Sequence, residues 1–161
     1  MMQSKKYLTY RDALDAMQKY CARQEKCQKD IRTKLIQGGI YGEDLENILA
    51  ELITDGFIDE ERYARHFVSG KFKINKWGRL KIKQALEMKD ISEYCIREGL
   101  KEIDEATYTE HIRHIIIKKI QSNTTDHILW DERIKLFNHL ISKGYEKDII
   151  NPILDEFAER D

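Results

Sequence analysis

Proline and glycine are scarce in this chain, which has 1 proline and 8 glycines among 161 residues. A β-sandwich or small barrel needs a turn roughly every 8 to 12 residues, and those turns draw heavily on both residue types. The shortage disfavours such folds and favours an all-α protein. Hydrophobic residues at 41% and charged residues at 35% are typical of a domain with a core and a well-solvated surface, not of a disordered chain.

Long apolar runs and signal sequences are also missing. The densest apolar run is only Ile115–Ile117, far short of the roughly 20 residues that span a bilayer. The first twelve residues contain Lys5 and Lys6, but no apolar stretch follows them as it would in a secretory signal. We therefore expect neither a membrane segment nor export, and we expect the protein in the cytoplasm.

No arrangement of residues indicates an enzyme, a metal site or a cofactor. The run Gly38–Gly42 lacks the spacing of a phosphate-binding loop and is interpreted as a helix C-cap. His111 and His114 lie three residues apart and could share a metal, but no third ligand has recognisable spacing. The 3 cysteines have no Cys-x-x-Cys pair, and we expect Cys27 and Cys95 in the core.

One sequence pattern occurs three times along the chain. Leu35, Leu86 and Leu140 each stand five residues before an apolar residue, across a short turn, and are offset by 51 and 54 residues. Apolar positions downstream coincide at the same offsets: Leu45, Ile96 and Ile150; Leu49, Leu100 and Leu154; Leu52, Ile103 and Phe157. Units of this size bury little surface alone, so neighbours should stack. We predict three tandem three-helix repeats, stacked into an elongated, curved body.

The repeat boundaries follow from helix-start signals. Thr9 opens a capping-box pattern, Asp59 is a candidate cap and the third repeat begins near Asp104, which gives a tail at 1–8 and repeats at 9–58, 59–103 and 104–161. Pro152 falls inside the last predicted helix. That helix is therefore either kinked at Pro152 or begins at Asn151 as its cap.

The net charge of −1 conceals a strongly basic segment. Residues 62–89 contain 9 basic and 1 acidic side chains, whereas the flanking parts of the chain are acidic. Such a segment repels itself unless negative charge lies opposite it. Lysine and arginine neutralise phosphates, and aromatic rings can stack on bases or anchor a protein interface. The candidate partner- or DNA-binding residues are Arg62, Arg65, Lys71, Lys73, Lys76, Trp77, Arg79, Lys81 and Lys83.

The aromatic residues of the segment have two interpretations. Tyr63, Phe67 and Phe72 lie at helical spacing and are expected in the core. Trp77 lies at a turn and is either a lid on the core or an exposed anchor. Arg62 and Arg65 are second-rank candidates, because either could instead pair with the acidic residues at 59–61.

The segment resembles the RecX regulatory proteins, which control the RecA recombinase. The matching residues are Gly56-Phe-Ile-Asp-Glu-Glu-Arg-Tyr-Ala-Arg-His-Phe-Val68, then Lys76-Trp-Gly78, then Ile82, Leu86 and Lys89-Asp-Ile91. Upstream, Arg23, Asp30-Ile31, Lys34-Leu35 and Gly39-Ile40 are similar to the family's first repeat. Two positions depart from the family. This chain has Asp90 where the family often has glycine, at a position expected to need a left-handed backbone, and Arg79 where the family often has proline.

The resemblance implies a cytoplasmic regulator without cofactors, which binds the RecA filament on single-stranded DNA and suppresses its ATPase, strand exchange and co-protease activity. The basic residues would face DNA phosphates or acidic RecA surface, and a monomer is expected. An alternative is a general nucleic-acid-binding helical module that uses 62–89, although a pI near 6.5 disfavours a dedicated DNA binder. A scaffold for an unrelated protein is a third reading.

Overall fold

A computed structural model describes residues 6–7, 9–123 and 127–158 of the chain. Most of the predicted tail at 1–8 lies outside these residues. The described residues form α-helices and no strand, apart from one isolated bridge between Ile128 and Ala158, so the all-α prediction is confirmed for them. The helices are α1 Tyr10–Arg23, α2 Gln28–Gln37, α3 Gly42–Thr54, α4 Glu60–Lys73, α5 Arg79–Glu87, α6 Glu93–Leu100, α7 Glu105–Ser122, α8 Trp130–Ser142 and α9 Lys147–Glu156. None of these helices combines the length and apolar content needed to cross a membrane.

Capping side chains stand at the start of α1, α4 and α7, and those at Thr9 and Asp59 are the predicted ones. Thr9 accepts a hydrogen bond from the Asp12 backbone N–H, and Asp104 accepts one from Thr107. Asp59 accepts a bond of 2.9 Å from the Arg62 backbone N–H at the start of α4. These side chains satisfy amide groups that have no partner within their helix.

The turn that ends the second helix of each repeat has the same geometry three times. A residue with positive φ lies at Gly39, Asp90 and Gly144, which are offset by the predicted 51 and 54 residues. In each turn the next residue donates its backbone N–H to the leucine five positions earlier, at 2.9 to 3.2 Å. The repeated pattern therefore reflects a repeated backbone structure, although the exact bounds of the repeats stay a prediction.

Asp90→Gly is expected to stabilise the fold by about 0.5 to 1 kcal/mol. Asp90 has a φ of 57°, where a side chain costs energy that glycine avoids. The variant loses only an exposed ion pair with Lys29, which contributes little. Urea denaturation checks this, with Asp90→Ala as the control, since alanine keeps the strained backbone. A glycine variant no more stable than the original chain would contradict the prediction.

The described residues cluster into two compact units. Unit 1 comprises Met1–His66 and Leu86–Gly99, and unit 2 comprises Phe67–Ala85 and Leu100–Asp161. In unit 1, α1 and α2 pack on α3 around a core that includes Met17, Ile31, Leu35, Ile48 and Leu52. In unit 2, α7 and α8 pack on α9. Its largest fully buried side chains are those of Phe72, Tyr108 and Tyr145, and the Tyr108 ring packs against the rings of the other two.

Several expectations about single residues need correction. Cys27 is buried, but Cys95 is only half-buried, because its position in α6 lies beside the face that Ile96 and Gly99 bury. Tyr63 and Phe72 are in the core as expected, whereas Phe67 is half-buried. Cys95 and Phe67 stay partly exposed because the buried face of each helix is narrower than its set of apolar residues.

The last helix resolves the question raised by Pro152. The alternative of a helix that begins at Asn151 is wrong, because α9 starts at Lys147 after Glu146. Pro152 is thus inside the helix, where it removes the hydrogen bond to the carbonyl four residues earlier. That carbonyl belongs to Asp148, which is exposed and open to water.

Candidate partner-binding surface

The turn between α4 and α5 carries the basic residues of unit 2. We use the name basic surface for Lys71, Lys73, Lys76, Trp77, Lys81 and Lys83. Helix α4 ends at Lys73 and α5 begins at Arg79. Lys76 adopts a positive φ of 56°, which reverses the chain, and the Trp77 backbone N–H then donates to the Lys71 carbonyl at 3.1 Å. The sequence does not predict this left-handed backbone at Lys76.

Hydrogen bonds fasten this turn to the turn between α8 and α9. The backbone N–H of Gly78 donates to the Lys143 carbonyl at 2.8 Å, and that of Leu80 donates to the Gly144 carbonyl at 3.0 Å. The Tyr145 hydroxyl donates to the Lys76 carbonyl at 2.7 Å. The glycine of the Lys-Trp-Gly motif permits this approach, since a Cβ on Gly78 would lie 2.3 Å from the Gly144 backbone.

Trp77 lies between two lysines. Its ring is half-buried, with the Lys81 Nζ 4.4 Å and the Lys71 Nζ 4.8 Å from the ring centroid. Both distances are within the range of a cation–π contact. Trp77 is thus neither a fully buried lid nor a fully exposed anchor. Its ring keeps the charges of Lys71 and Lys81 close together.

Arg79 differs from these lysines because its charge is already paired. Its guanidinium lies 4.1 Å from the centroid of the Tyr108 ring and forms ion pairs with Glu105 and, at 3.2 Å, with Glu146. Burial opposes the charge, but the two carboxylates outweigh that effect and raise the pKa of Arg79. The side chain is only 20% exposed. Arg79 therefore helps to hold unit 2 together, whatever further contact it makes.

Tyr108 completes this ion-pair cluster. Its hydroxyl donates to Glu146 at 2.5 Å and accepts from the Arg79 backbone N–H at 3.0 Å, at the first residue of α5. The sequence analysis missed these partners, because Glu105 and Glu146 are 26 and 67 residues from Arg79. No local spacing rule relates residues so far apart.

Lys76 lies beside the histidine considered above as a metal ligand. Its Nζ donates to the Lys73 carbonyl at 2.8 Å and lies 3.5 Å from the His111 Nε2. Burial, followed by the charges of Lys76 and His114, lowers the pKa of His111, so its imidazole is neutral at pH 7. Among the described residues no cluster of three or more histidine, cysteine or acidic side chains could hold a metal ion.

The two second-rank arginines belong to unit 1 and both contact acidic residues there. Arg62 forms an ion pair with Glu25 at 2.7 Å and donates to the Gly56 carbonyl at 2.9 Å. Arg65 pairs with Glu61 at 2.8 Å and with Glu98 at 3.3 Å. These contacts stabilise unit 1 and leave the exposed positive charge of the candidate set concentrated on the basic surface of unit 2.

Known proteins resemble this chain in sequence. The model of the RecX second three-helix domain matches residues 59–100, which include the whole basic surface. A protein from Clostridium botulinum (strain Eklund 17B / Type B), named regulatory protein RecX, is 31% identical over 156 residues, which cover 94% of this chain and 73% of that protein. The chain belongs to the RecX family. A second RecX, from Prosthecochloris aestuarii, is 28% identical over 146 residues, covering 91% of this chain and 93% of the relative.

Solved structures agree with the fold. The crystal structure of RecX from Lactobacillus salivarius superimposes with a TM-score of 0.80 at 22% identity, and covers 92% of this chain and 96% of that one. A further crystal structure, of regulatory protein RecX, gives a TM-score of 0.80 at 24% identity. The tandem three-helix architecture is therefore that of solved RecX structures, and this RecX family member belongs to a group of regulatory proteins.

Proposed function

We propose that this RecX family member regulates RecA without being an enzyme itself: it binds the RecA filament on single-stranded DNA as a monomer and inhibits ATPase, strand exchange and co-protease activity. The proposal places it in the cytoplasm. The observation that carries it is the basic surface, where lysines surround a half-buried tryptophan on a turn held by backbone hydrogen bonds. Family membership and the resemblance of the motifs support RecA as the partner.

The basic surface suits a negatively charged, extended partner. Lys73 and Lys83 are exposed, whereas Lys71 and Lys81 are partly covered by their contact with Trp77. Lysine charges attract phosphate or carboxylate groups, and a planar ring adds apolar contact area at the centre of an interface. Both DNA phosphates and acidic RecA side chains would satisfy this surface. Inhibition follows if binding favours one conformation of the filament over the others needed for turnover.

Charge reversal tests the proposal. In a triple variant with Lys73→Glu, Lys81→Glu and Lys83→Glu, the concentration for half-inhibition of the single-strand-dependent ATPase of the cognate RecA should rise at least about tenfold. The matched control is Arg11→Glu, Lys19→Glu and Arg23→Glu. Those three side chains are exposed on α1, have no hydrogen bond or ion pair to a described residue, and change the net charge equally. The control should inhibit like the original chain.

A parallel titration against naked single-stranded DNA separates the proposal from the alternative. The regulator should inhibit ATPase at concentrations below those that coat the naked DNA. If inhibition begins only as the DNA becomes coated, and if inhibition and DNA binding both fall steeply with salt, the protein is a general nucleic-acid-binding module instead. Equal inhibition by the basic-surface variant and the control would reject the basic surface as the site of contact.

A further inference from the structure

A second positively charged feature of unit 2 lies, except for Lys76, outside the basic segment of the sequence. Helices α7 and α8 each pack on α9, and between α7 and α8 is a groove of about 710 Å³. We call it the basic groove. Lys118 and Lys119 line it from α7, and Lys135 and Lys143 line it from α8 and its end, with Lys76 close by. None of the described residues that line it is acidic.

Lysine and histidine side chains line the groove in two rows, one from each helix. His114 and Lys118 lie four residues apart on α7, and Lys135, His139 and Lys143 lie four apart along α8. Residues at that spacing share one helix face. The longer row extends over the nine residues from Lys135 to Lys143, so the groove is about 12 Å long. That length accommodates about two turns of a helical segment.

Three lysines of the basic groove form no ion pair with the described residues, whereas Lys76 and Lys143 each donate to a backbone carbonyl. Lys118, Lys119 and Lys135 are exposed and form no ion pair with any residue that the structure describes. Like charges at this density repel one another, and an exposed single-sign cluster attracts a ligand of opposite sign. In contrast, two arginines of unit 2 form internal ion pairs, Arg79 with Glu146 and Arg113 with Glu156.

The apolar part of the groove decides what kind of anion fits. Leu136 is 5% exposed and lies beside half-buried Ile115, so aliphatic side chains form part of the lining between the lysine rows. Among the described residues that line the groove, none is phenylalanine, tyrosine or tryptophan, and the only rings are the imidazoles of His114 and His139. Single-stranded nucleic acid binds best where basic residues are combined with aromatic rings on which bases stack. An aliphatic floor between charged rows instead matches an amphipathic helix laid into a groove.

We propose that the basic groove docks an acidic, amphipathic helical segment of a partner protein. Its leucine-like side chains would contact Ile115 and Leu136, and its carboxylates would pair with Lys118, Lys119 and Lys135. This site is separate from the lysines tested above, so either proposal can fail without the other. Charge complementarity sets the class of partner, and the length of the groove limits the contact to about two helical turns.

The probe for the test is a fluorescein-labelled synthetic peptide with leucine at i, i+3, i+4 and i+7 and glutamate at its other positions. Fluorescence anisotropy should show saturable binding. The double variant Lys118→Glu and Lys135→Glu should weaken it at least about tenfold, which equals about 1.4 kcal/mol. The control double variant, Lys19→Glu and Arg23→Glu on α1, should stay within about twofold. A peptide with serine in place of leucine should bind at least about fivefold more weakly.

Three outcomes would overturn the proposal. The first is no saturable binding of the leucine peptide, and the second is equal loss of binding in the groove variant and the control. The third is tighter binding of a fluorescein-labelled oligothymidylate of the same charge, abolished by Lys118→Glu and Lys135→Glu, which would assign the groove to nucleic acid. All four charge changes are at exposed positions, and circular dichroism checks that each variant keeps its helices.

Discussion

Gly78→Ala is expected to lower the free energy of unfolding by about 3 kcal/mol. A Cβ at this position would meet the Gly144 carbonyl carbon and oxygen at 2.3 Å and the Tyr145 backbone nitrogen at 2.4 Å. These are backbone atoms, which cannot rotate away as a flexible side chain could. The two turns must therefore separate, and the hydrogen bonds from Gly78 to Lys143 and from Leu80 to Gly144 are lost together.

Gly70→Ala is the matched control for this prediction. Gly70 lies inside α4, and a Cβ there would meet nothing within 4 Å. Alanine is the better helix former, so this change should stabilise the protein by about 0.5 to 1 kcal/mol. Urea denaturation of both variants measures the two effects, which have opposite signs. If Gly78→Ala unfolds at the same urea concentration as the original chain, the two turns do not approach each other this closely.

Arg79→Glu is expected to destabilise unit 2 by about 3 kcal/mol. The variant places a third carboxylate beside Glu105 and Glu146, which lose their only described ion-pair partner, and removes the guanidinium from the Tyr108 ring. Because Arg79 and Glu146 are each only about a fifth exposed, water compensates poorly for the lost pair. Charge reversal at Arg79 would therefore reduce any activity through stability, whether or not the residue contacts a partner.

The exposed lysine of the same helix provides the comparison. Lys83→Glu should change stability by no more than about 0.5 kcal/mol, as is usual for an exposed substitution. The double variant Arg79→Glu with Glu146→Arg should recover part of the loss, because the pair is rebuilt in reverse. Thermal and urea unfolding of the three variants measure this. If Arg79→Glu loses little stability and the double variant recovers none, the Arg79–Glu146 pair contributes little to the free energy of unfolding.

The sequence predicts the features that depend on local spacing. The turns at Gly39, Asp90 and Gly144 repeat at fixed offsets because each is set by a few neighbouring residues. The left-handed backbone at Asp90 follows from the glycine that the family often has there. The caps at Thr9 and Asp59 follow from the residue type and from the apolar pattern after them.

Features that depend on distant residues are harder to predict. The apolar pattern of α8 indicates a buried face that includes Ile134, yet Ile134 is 46% exposed while Leu136 and Leu140 are buried. Several apolar residues follow one another there, so the sequence allows more than one face, and packing on α9 selects between them. The ion pairs of Arg79 and the basic groove likewise arise only when separate helices meet.

The attachment of the 76–80 turn to residues 143–145 has a consequence for binding energy. A partner that binds a loose loop must order its backbone, at a cost of about 1 to 2 kcal/mol for each residue. Here three hydrogen bonds have already fixed that backbone, and the Trp77 ring restricts Lys71 and Lys81 as well. Preorganisation of this kind lowers the conformational entropy lost on association, so more of the attraction between lysines and a negatively charged partner remains as affinity.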